Sequence, residues 1–580
     1  MCGGTLLTAN TLCAAVSILR KIACGMHLAA NTAVCKLFKI CNVVEFYIFI
    51  VFYNIPYIKT PLFAVRCVLP RVTHKMFPRA DETASRAQAS RQNSVLREGE
   101  TTDSSFSKEY IKIIKQIEGA SVMINLKDYK SIHCIGIGGI GLSAIGEILL
   151  SRGYEVTGSD MKESEITSNL SAKGAKIFIG HRAENVANAD LIVYSSAVGA
   201  DNPELLEAAR RNIPAITRAQ MLGILMEGYE NSIAISGTHG KTTTTSMVSL
   251  ILEKAKFEPT ILVGGNLSEI GGNVKVGHGK YFITEACEYM DSFLSLKPKI
   301  EIILNIDSDH LDYFKDIEHI VKSFDQFASL VPEDGFVVAY EANPFVNKVI
   351  KNLKNVITFG LNESCTYYAK DIVFNEDGMP SFDVEKNGTH LARVQLSVPG
   401  EHNILNALAA FACCHSLGAG VEVIKDTLEN YRGTQRRFDI VGVTEKGVKI
   451  VDDYAHHPTE IKATLTACQN IPHNKLWCLF QPHTYTRTMA LFDEFAAAFE
   501  KTDVLILAEI YAAREKNIYK ISSAQLAESI KKAYPDKKVL FVDDFHEIAN
   551  YVEKNSESGD LVLTMGAGDI YKVGEMILEK

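Results

Sequence analysis

The sequence predicts an α/β protein of about three domains, each built on a mostly parallel sheet. Three observations carry that expectation. From Met123 onward, short apolar strands alternate with amphipathic helical stretches, the pattern of parallel strands joined by crossover helices. Glycine-rich turns at Gly136 and at Gly237 each stand between an apolar strand and a helix, where backbone amides and a helix N-terminus bind phosphate. The length of 580 residues also exceeds what a single core fills.

The first block, 123–229, places strands at "SIHCIGI", "YEVTGSD", "AKIFIG" and "DLIVYSS". Its turn reads Gly136-x-Gly138-x-x-Gly141, and Asp160 follows about twenty residues beyond, where a ribose-binding acid is expected. By itself this is a nicotinamide fingerprint. It reports only that a diphosphate docks on Gly136, Gly138, Gly139 and Ile140, with Asp160 nearby.

The second block, 230–438, opens with the strand "SIAISG" and the loop Gly237-Thr238-His239-Gly240-Lys241-Thr242-Thr243. Lys241 suits the β- and γ-phosphates of a nucleotide, and the Thr242 hydroxyl suits Mg²⁺. The strict P-loop pattern asks for glycine five positions before Gly240, where Ile235 stands. Farther on, "FITEACEYMDSF" puts Glu285 and Glu288 at one strand end, and "ILNIDSDHLDYF" puts Asn305, Asp309, His310 and Asp312 at another. One such acid reads as a cap or a surface carboxylate. Several at strand ends of one sheet read as a site, because ligands bind there in open α/β folds. An antiparallel patch is expected near "CTYYAKDIVF", "SFDVEK" and "ARVQLSV". "VPGEHNILNALAA" carries His402, Asn403 and Asn406 at a helix start, which alone is a capped helix, and Arg436 and Arg437 alone are a solvated pair.

The third block, 439–580, places Asp453, Tyr454, His456 and His457 after the strand in "VDDYAHHPTEI". An aspartate cap with exposed histidines is the plain reading. "QPHTYTRT" adds His483 and Arg487, and arginine grips a carboxylate with two parallel hydrogen bonds. "TMGAGDI" is a glycine-rich turn holding Gly566, Gly568 and Asp569.

The loop pattern G-T-x-G-K-T, together with D-Y-A-H-x-P, H-H-P-T-E, Q-P-H-x-Y-T-R-T and G-A-G-D-I, resembles the Mur ligase family over essentially all of 123–580. The resemblance implies three domains: a Rossmann-like UDP-sugar domain at 123–229, a central P-loop ATPase-type domain at 230–438, and a Rossmann-like amino-acid domain at 439–580. It implies ATP and Mg²⁺ as cofactors, with UDP-N-acetylmuramate and L-alanine joined through an acyl phosphate in the cytoplasm, for peptidoglycan synthesis. Thr242, Glu285 and His310 would hold the metal. The Gly237–Thr243 loop, His402, Asn403, Asn406, Arg437 and Asp453 would contact the nucleotide. Tyr454, His456 and Arg487 would face the amino acid, with His456 a candidate for positioning it or removing its proton. Lys241, Glu285, His310, His456 and Arg487 form the expected catalytic set. Two positions depart from the pattern: Cys287, where relatives often carry aspartate, and Thr484, where they often carry a second arginine. A nicotinamide-dependent oxidoreductase explains the first turn but leaves the Gly237 loop unused. A P-loop kinase or regulator explains that loop but not the third block.

A formal charge of −9 argues against a nucleic-acid partner. A monomer or homodimer is expected. Residues 1–122 differ from the rest. "VVEFYIFIVFYNIPYI" at 43–58 is apolar but interrupted by Glu45, Asn54 and Pro56, short of the roughly twenty residues of a membrane span. Six of the 13 cysteines fall in this segment without the paired spacing of a zinc site, and a polar linker-like run follows. It reads as a membrane anchor, an added segment, or sequence upstream of a natural start at Met123. The third reading is the expectation here, and abundant peptides from 1–122 in the native protein would contradict it.

Overall fold

The computed structural model describes residues 124–579, apart from 196, 312, 377 and 514, and also Tyr47–Ile48 (β1) and Val65–Arg66 (β2), which pair antiparallel. The other expectations for 1–122 lie outside the described residues. Among the described residues, no helix is long and apolar enough to cross a membrane.

Five parallel strands make the first sheet: β3 (Ser131–Ile135), β4 (Glu155–Asp160), β5 (Lys176–Ile179), β6 (Leu191–Tyr194) and β7 (Ala215–Thr217), in the order β5-β4-β3-β6-β7. Helices cover both faces, so every residue of β3 is buried and the strand reads as a continuous apolar run. The chain winds outward in both directions from β3. The Gly136 turn therefore opens into the crevice at the strands' C-terminal ends, where Gly139 begins the helix Ile140–Ser151. Beneath that turn lies a buried polar cluster. Glu204, fully buried, accepts hydrogen bonds from Ser159 Oγ at 2.6 Å and Asn185 Nδ2 at 2.5 Å, with His181 Nδ1 at 3.0 Å. Burial alone would raise its pKa, but hydrogen bonds led by His133 hold it down at about 2. The Ser159 carbonyl accepts the amides of Gly136 and Ile137, so the cluster props the turn from below.

The middle sheet has ten strands: β8 (Asn231–Ser236), β9 (Thr260–Leu267), β10 (Gly272–Lys275), β11 (Tyr281–Glu285), β12 (Ile300–Ile303), β13 (Phe336–Tyr340), β14 (Val356–Gly360), β15 (Tyr367–Phe374), β16 (Pro380–Lys386) and β17 (Thr389–Gln395). Their order is β10-β9-β11-β8-β12-β13-β14-β15-β16-β17, parallel from β9 through β15 and antiparallel at both ends. The antiparallel end formed by β15, β16 and β17 is the patch expected from sequence. Because β11, β8 and β12 are neighbours, Glu285, Gly237 and Asn305 emerge side by side at one edge. The small-residue helix Glu401–Ser416 packs closely on the phosphate-loop helix Lys241–Lys254, with Cys414 Sγ 3.9 Å from the Val248 carbonyl.

The last sheet comprises β18 (Asp439–Val443), β19 (Lys449–Asp453), β20 (Leu476–Phe480), β21 (Val504–Leu507), β22 (Lys538–Phe541) and β23 (Leu561–Met565). The order is β18-β19-β23-β20-β21-β22, parallel except for β18. Adjacent β19, β23 and β20 deliver Tyr454, Gly566 and Gln481 to one end.

Candidate active site

The Gly237–Thr243 loop leaves β8 and enters the helix Lys241–Lys254 through Gly240, whose φ is 86°. A Cβ there would meet Asn406 Oδ1 at 2.5 Å, so conformation and space both require glycine. Asn406 in turn accepts the Thr244 hydroxyl and donates to Asn403 Oδ1, which ties the helix Glu401–Ser416 to the loop. Lys241 Nζ bends back onto the Gly237 and Thr238 carbonyls and pairs with Glu288 at 3.0 Å. Burial would lower the Lys241 pKa, but Glu288 outweighs it and the ammonium is raised above its ordinary value. Glu288 itself is only 2% exposed.

Of the expected metal ligands, Thr242 in the helix Lys241–Lys254 and Glu285 at the end of β11 both approach β9. Glu285 Oε1 accepts the Gly264 amide at 2.7 Å, and a Cβ on the adjacent Gly265 would stand 3.3 Å from Thr242 Cγ2. A hydroxyl and a carboxylate so placed fit a hard cation with oxygen ligands. His310, with φ 53°, lies tilted against Tyr289 at 4.7 Å between ring centres. A separate histidine–carboxylate trio converges among the described residues, His239, Asp307 and His457. Its nitrogens are already engaged. His457 Nε2 donates to the Ser308 carbonyl, and its Nδ1 accepts the Thr459 amide. Cys287 carries no nucleophile: burial raises its thiol pKa, and its carbonyl accepts Ser292 Oγ.

Between the second and third sheets lies a cleft of about 450 Å³. His239, Gly240 and Thr243 floor it, while His402, Asn403, Asn406, Arg437 and Asp453 line its walls. Burial lowers the pKa of His402 to about 4 and raises that of Asp453 to about 6 against the nearby Arg437. Arg436 anchors the hinge into the third sheet, donating to Asp452 at 2.9 Å and to the Gly566 carbonyl at 2.8 Å. Arg437 lies over the Tyr454 ring at 5.0 Å.

A second pocket, of about 350 Å³, opens beside it. Its walls come from Tyr289, Asp309, His310 and Leu311 on one side and from His483, Thr484, Arg487 and Glu515 on the other. Arg487 Nε donates to Asp309 Oδ1 at 3.1 Å, across the two sheets. Burial works against the Asp309 charge, yet Arg487 holds its carboxyl well below the usual range. Thr484 caps the short helix Tyr485–Ala490 that presents Arg487, at a φ of 65° that a β-branched residue adopts only under strain. His456 Nδ1 bonds the Tyr454 carbonyl; a carbonyl only accepts, so the proton sits on Nδ1 and Nε2 keeps its lone pair. Burial lowers the His456 pKa to about 3, and the ring lies 5.9 Å from that of His483.

Contacts between the loops join the two pockets. His239 Nδ1 lies 3.1 Å from Glu460 Oε1 and its Nε2 3.2 Å from Asp307 Oδ2, while Thr459 Oγ1 donates to Asp307 at 2.7 Å. Burial would lower the His239 pKa, but the two carboxylates raise it to about 9. The sequence reading assigned no role to Glu460, Asp307 or Glu515. The spacing His457-x-x-Glu460 was the available signal, since it is that of a capping box.

In the first sheet, Gly138, Gly139 and Ile140 take their expected place at the helix start. Asp160 stands beside the turn, where its Oδ2 accepts the Gly138 amide at 2.8 Å. Asn273 of β10 donates to the Ile140 carbonyl, which sets this turn against the middle sheet.

Known proteins share this arrangement. Models of the Mur ligase family catalytic domain, the Mur ligase middle domain and the Mur ligase glutamate ligase domain match residues 131–230, 235–414 and 436–568. The UDP-N-acetylmuramate–L-alanine ligase of Acetivibrio thermocellus is 52% identical over 453 residues, covering 78% of this chain and 96% of the relative. The protein of the same name from Caldanaerobacter subterraneus is 52% identical over 458 residues, covering 79% and 99%. Among solved structures, the UDP-N-acetylmuramate-alanine ligase of Thermotoga maritima aligns with a TM-score of 0.66 at 30% identity, over 77% of this chain and 98% of that one. By these matches across all three sheets, the chain belongs to the Mur ligase family.

Proposed function

We propose that the protein joins L-alanine to the carboxylate of UDP-N-acetylmuramate at the expense of ATP, releasing ADP and phosphate in peptidoglycan synthesis. The observation that carries this reading is the segment 307–310. Asp307 meets the nucleotide loop through His239, while Asp309 and His310 wall a pocket holding an arginine suited to a free amino acid's carboxylate. A P-loop kinase or regulator explains the nucleotide loop but not the arginine pocket that the third block adds. The oxidoreductase reading explains the first turn but leaves the Gly237–Thr243 loop unused.

A carboxylate is a poor acyl donor. Its oxygen attacks the γ-phosphorus of ATP and ADP leaves; the neutral amine of L-alanine then attacks the acyl carbon, and phosphate leaves with one original carboxylate oxygen and the proton the amine gives up. Lys241 transfers from Glu288 to the phosphates and neutralises charge there. Mg²⁺, held by Thr242, Glu285 and His310, would supply further charge neutralisation. Arg487 grips the amino-acid carboxylate, and its short helix fixes the direction of approach. His456 is too weak a base to keep a proton at neutral pH, so it positions the amine through its Nε2 lone pair. The seven described cysteines are all unpaired, which suits the reducing cytoplasm, where ATP is available.

The test is phosphate release from ATP, Mg²⁺, UDP-N-acetylmuramate and single amino acids. Release that needs all components and favours L-alanine over glycine and L-serine is expected. No release with L-alanine, or equal release without the sugar nucleotide, would overturn the proposal.

A further inference from the structure

Glu460 stands where the two pockets come nearest through the protein, and both of its oxygens are used. Oε1 faces His239 of the nucleotide loop at 3.1 Å. Oε2 accepts the backbone amides of His456 and His457 at 3.0 and 3.3 Å. One carboxylate thus ties a phosphate-loop side chain to the backbone that sets the His456 ring, and that ring packs on His483 at the wall of the other pocket. A second connection runs alongside. His457 Nε2 donates to the Ser308 carbonyl at 3.0 Å, between Asp307 at the nucleotide end and Asp309 at the Arg487 end. His239 and Asp307 belong to the middle sheet's loops, and Glu460 and His457 to the helix Pro458–Cys468 of the last sheet and its cap. These bonds exist only while the two sheets are drawn together, so they define a closed arrangement that each ligand can favour.

We infer that Glu460 is a positioning residue through which nucleotide binding and amino-acid binding strengthen one another. The inference rests on the reading of the two pockets as nucleotide and amino-acid sites. A nucleotide that orders the Gly237–Thr243 loop fixes His239, His239 fixes Glu460, and Glu460 fixes the His456 backbone beside the amino-acid pocket. Linkage requires the reverse effect to be equal, so bound amino acid tightens nucleotide binding by the same factor.

The test uses the full chain and a non-hydrolysable ATP analogue with Mg²⁺. Its Kd is measured with UDP-N-acetylmuramate present, with and without saturating L-alanine, in the wild type, Glu460→Gln, His239→Gln and the double variant. In the wild type, L-alanine lowers the Kd by about tenfold, within the usual range of coupling between sites. In Glu460→Gln the ratio falls by about threefold or more, the remainder being carried by the His457–Ser308 bond, and the double variant loses no more than either single variant, as one shared Glu460–His239 connection requires. In turnover, the amino-acid KM rises in Glu460→Gln while kcat at saturating alanine holds, a split that general loss of folding would not produce. A wild-type ratio of one, or a Glu460→Gln ratio equal to the wild type's, overturns the inference. His239→Gln keeps the test informative if Glu460→Gln folds poorly. Wild-type phosphate release that fails to respond to L-alanine would instead overturn the functional reading, so the two failures are distinct.

Discussion

Two buried carboxylates differ in the partners the fold gives them. Glu288 is buried beside Lys241, whose ammonium donates to it at 3.0 Å. ATP phosphates must displace it, so Glu288→Gln leaves Lys241 waiting for an anion. We expect Glu288→Gln to lower the nucleotide-free Tm and to enlarge the Tm rise on adding ATP; an unchanged rise would argue that the pair does not compete with the phosphates. Glu301 in β12 has only the Ser236 hydroxyl, and its Oε2 has no partner, so burial raises its pKa to about 8. The unfolded chain loses that proton near its ordinary value of 4.5 while the folded chain keeps it, so this contribution to stability is complete below about pH 4.5 and is lost as pH rises through about 8. Glu301→Gln is therefore expected to gain Tm over wild type progressively from about pH 5 to about pH 8, and a difference independent of pH would contradict the assignment. The residue types at the site were legible because phosphate, carboxylate and Mg²⁺ each demand particular groups. The pairings were not. Nothing in the spacing of Lys241 and Glu288, or of Asp309 and Arg487, says that they meet.

Sheet and turn elements were largely readable where one period dominates. The strands "SIAISG", "YFITEA" and "EIILNI" are apolar because helices cover both faces, and they appear as β8, β11 and β12. By contrast β7 is three residues long, too short to display a pattern, and the antiparallel edge strand β18 leaves Ile440, Val441 and Val443 exposed, so its apolar residues do not mark a buried face. Which strands are neighbours, and hence which loops share an edge, is a matter of topology that no local window contains. Among turns, Gly240 is the one whose substitution has the clearest consequence. Gly240→Ala forces a Cβ against Asn406 Oδ1 at a positive φ, a strain of about 1–3 kcal/mol that the loop relieves by moving its amides. The expected outcome is at least about tenfold weaker ATP binding by titration, since 1.4 kcal/mol is a factor of ten, with little change in UDP-sugar affinity. Equal binding would mean that the loop adapts. The short helix Tyr485–Ala490 makes a parallel case. Arg487→Lys retains the charge beside Asp309 but loses the guanidinium fork, so the amino-acid KM should rise by about tenfold or more while Tm holds. An unchanged KM would place the carboxylate elsewhere.

Across the whole molecule, the loops of the middle and last sheets are joined by several charged groups, with Leu311 packed on the last sheet's core, and the polar contacts suit parts that must separate to exchange three substrates. Such a junction answers to pH. His239 is raised to about 9, so its contribution is complete below about pH 6.5 and is lost as pH rises through about 9. Asp307 and Glu460 are lowered, so theirs is present above their ordinary values near 4 and is lost in acid. The Tm advantage of wild type over His239→Gln should therefore shrink between about pH 6.5 and about pH 9; a constant advantage would mean that His239 is neutral in the fold. The three-domain plan was legible in the motifs, whereas this junction was not, because its members come from segments more than a hundred residues apart. The central claim, that the chain activates a carboxylate as an acyl phosphate before an amine captures it, is open to one direct measurement. UDP-N-acetylmuramate labelled with ¹⁸O in its carboxylate is turned over with ATP and L-alanine, and the released phosphate is analysed by mass. One ¹⁸O in each phosphate is the predicted result, and phosphate free of label would contradict the account.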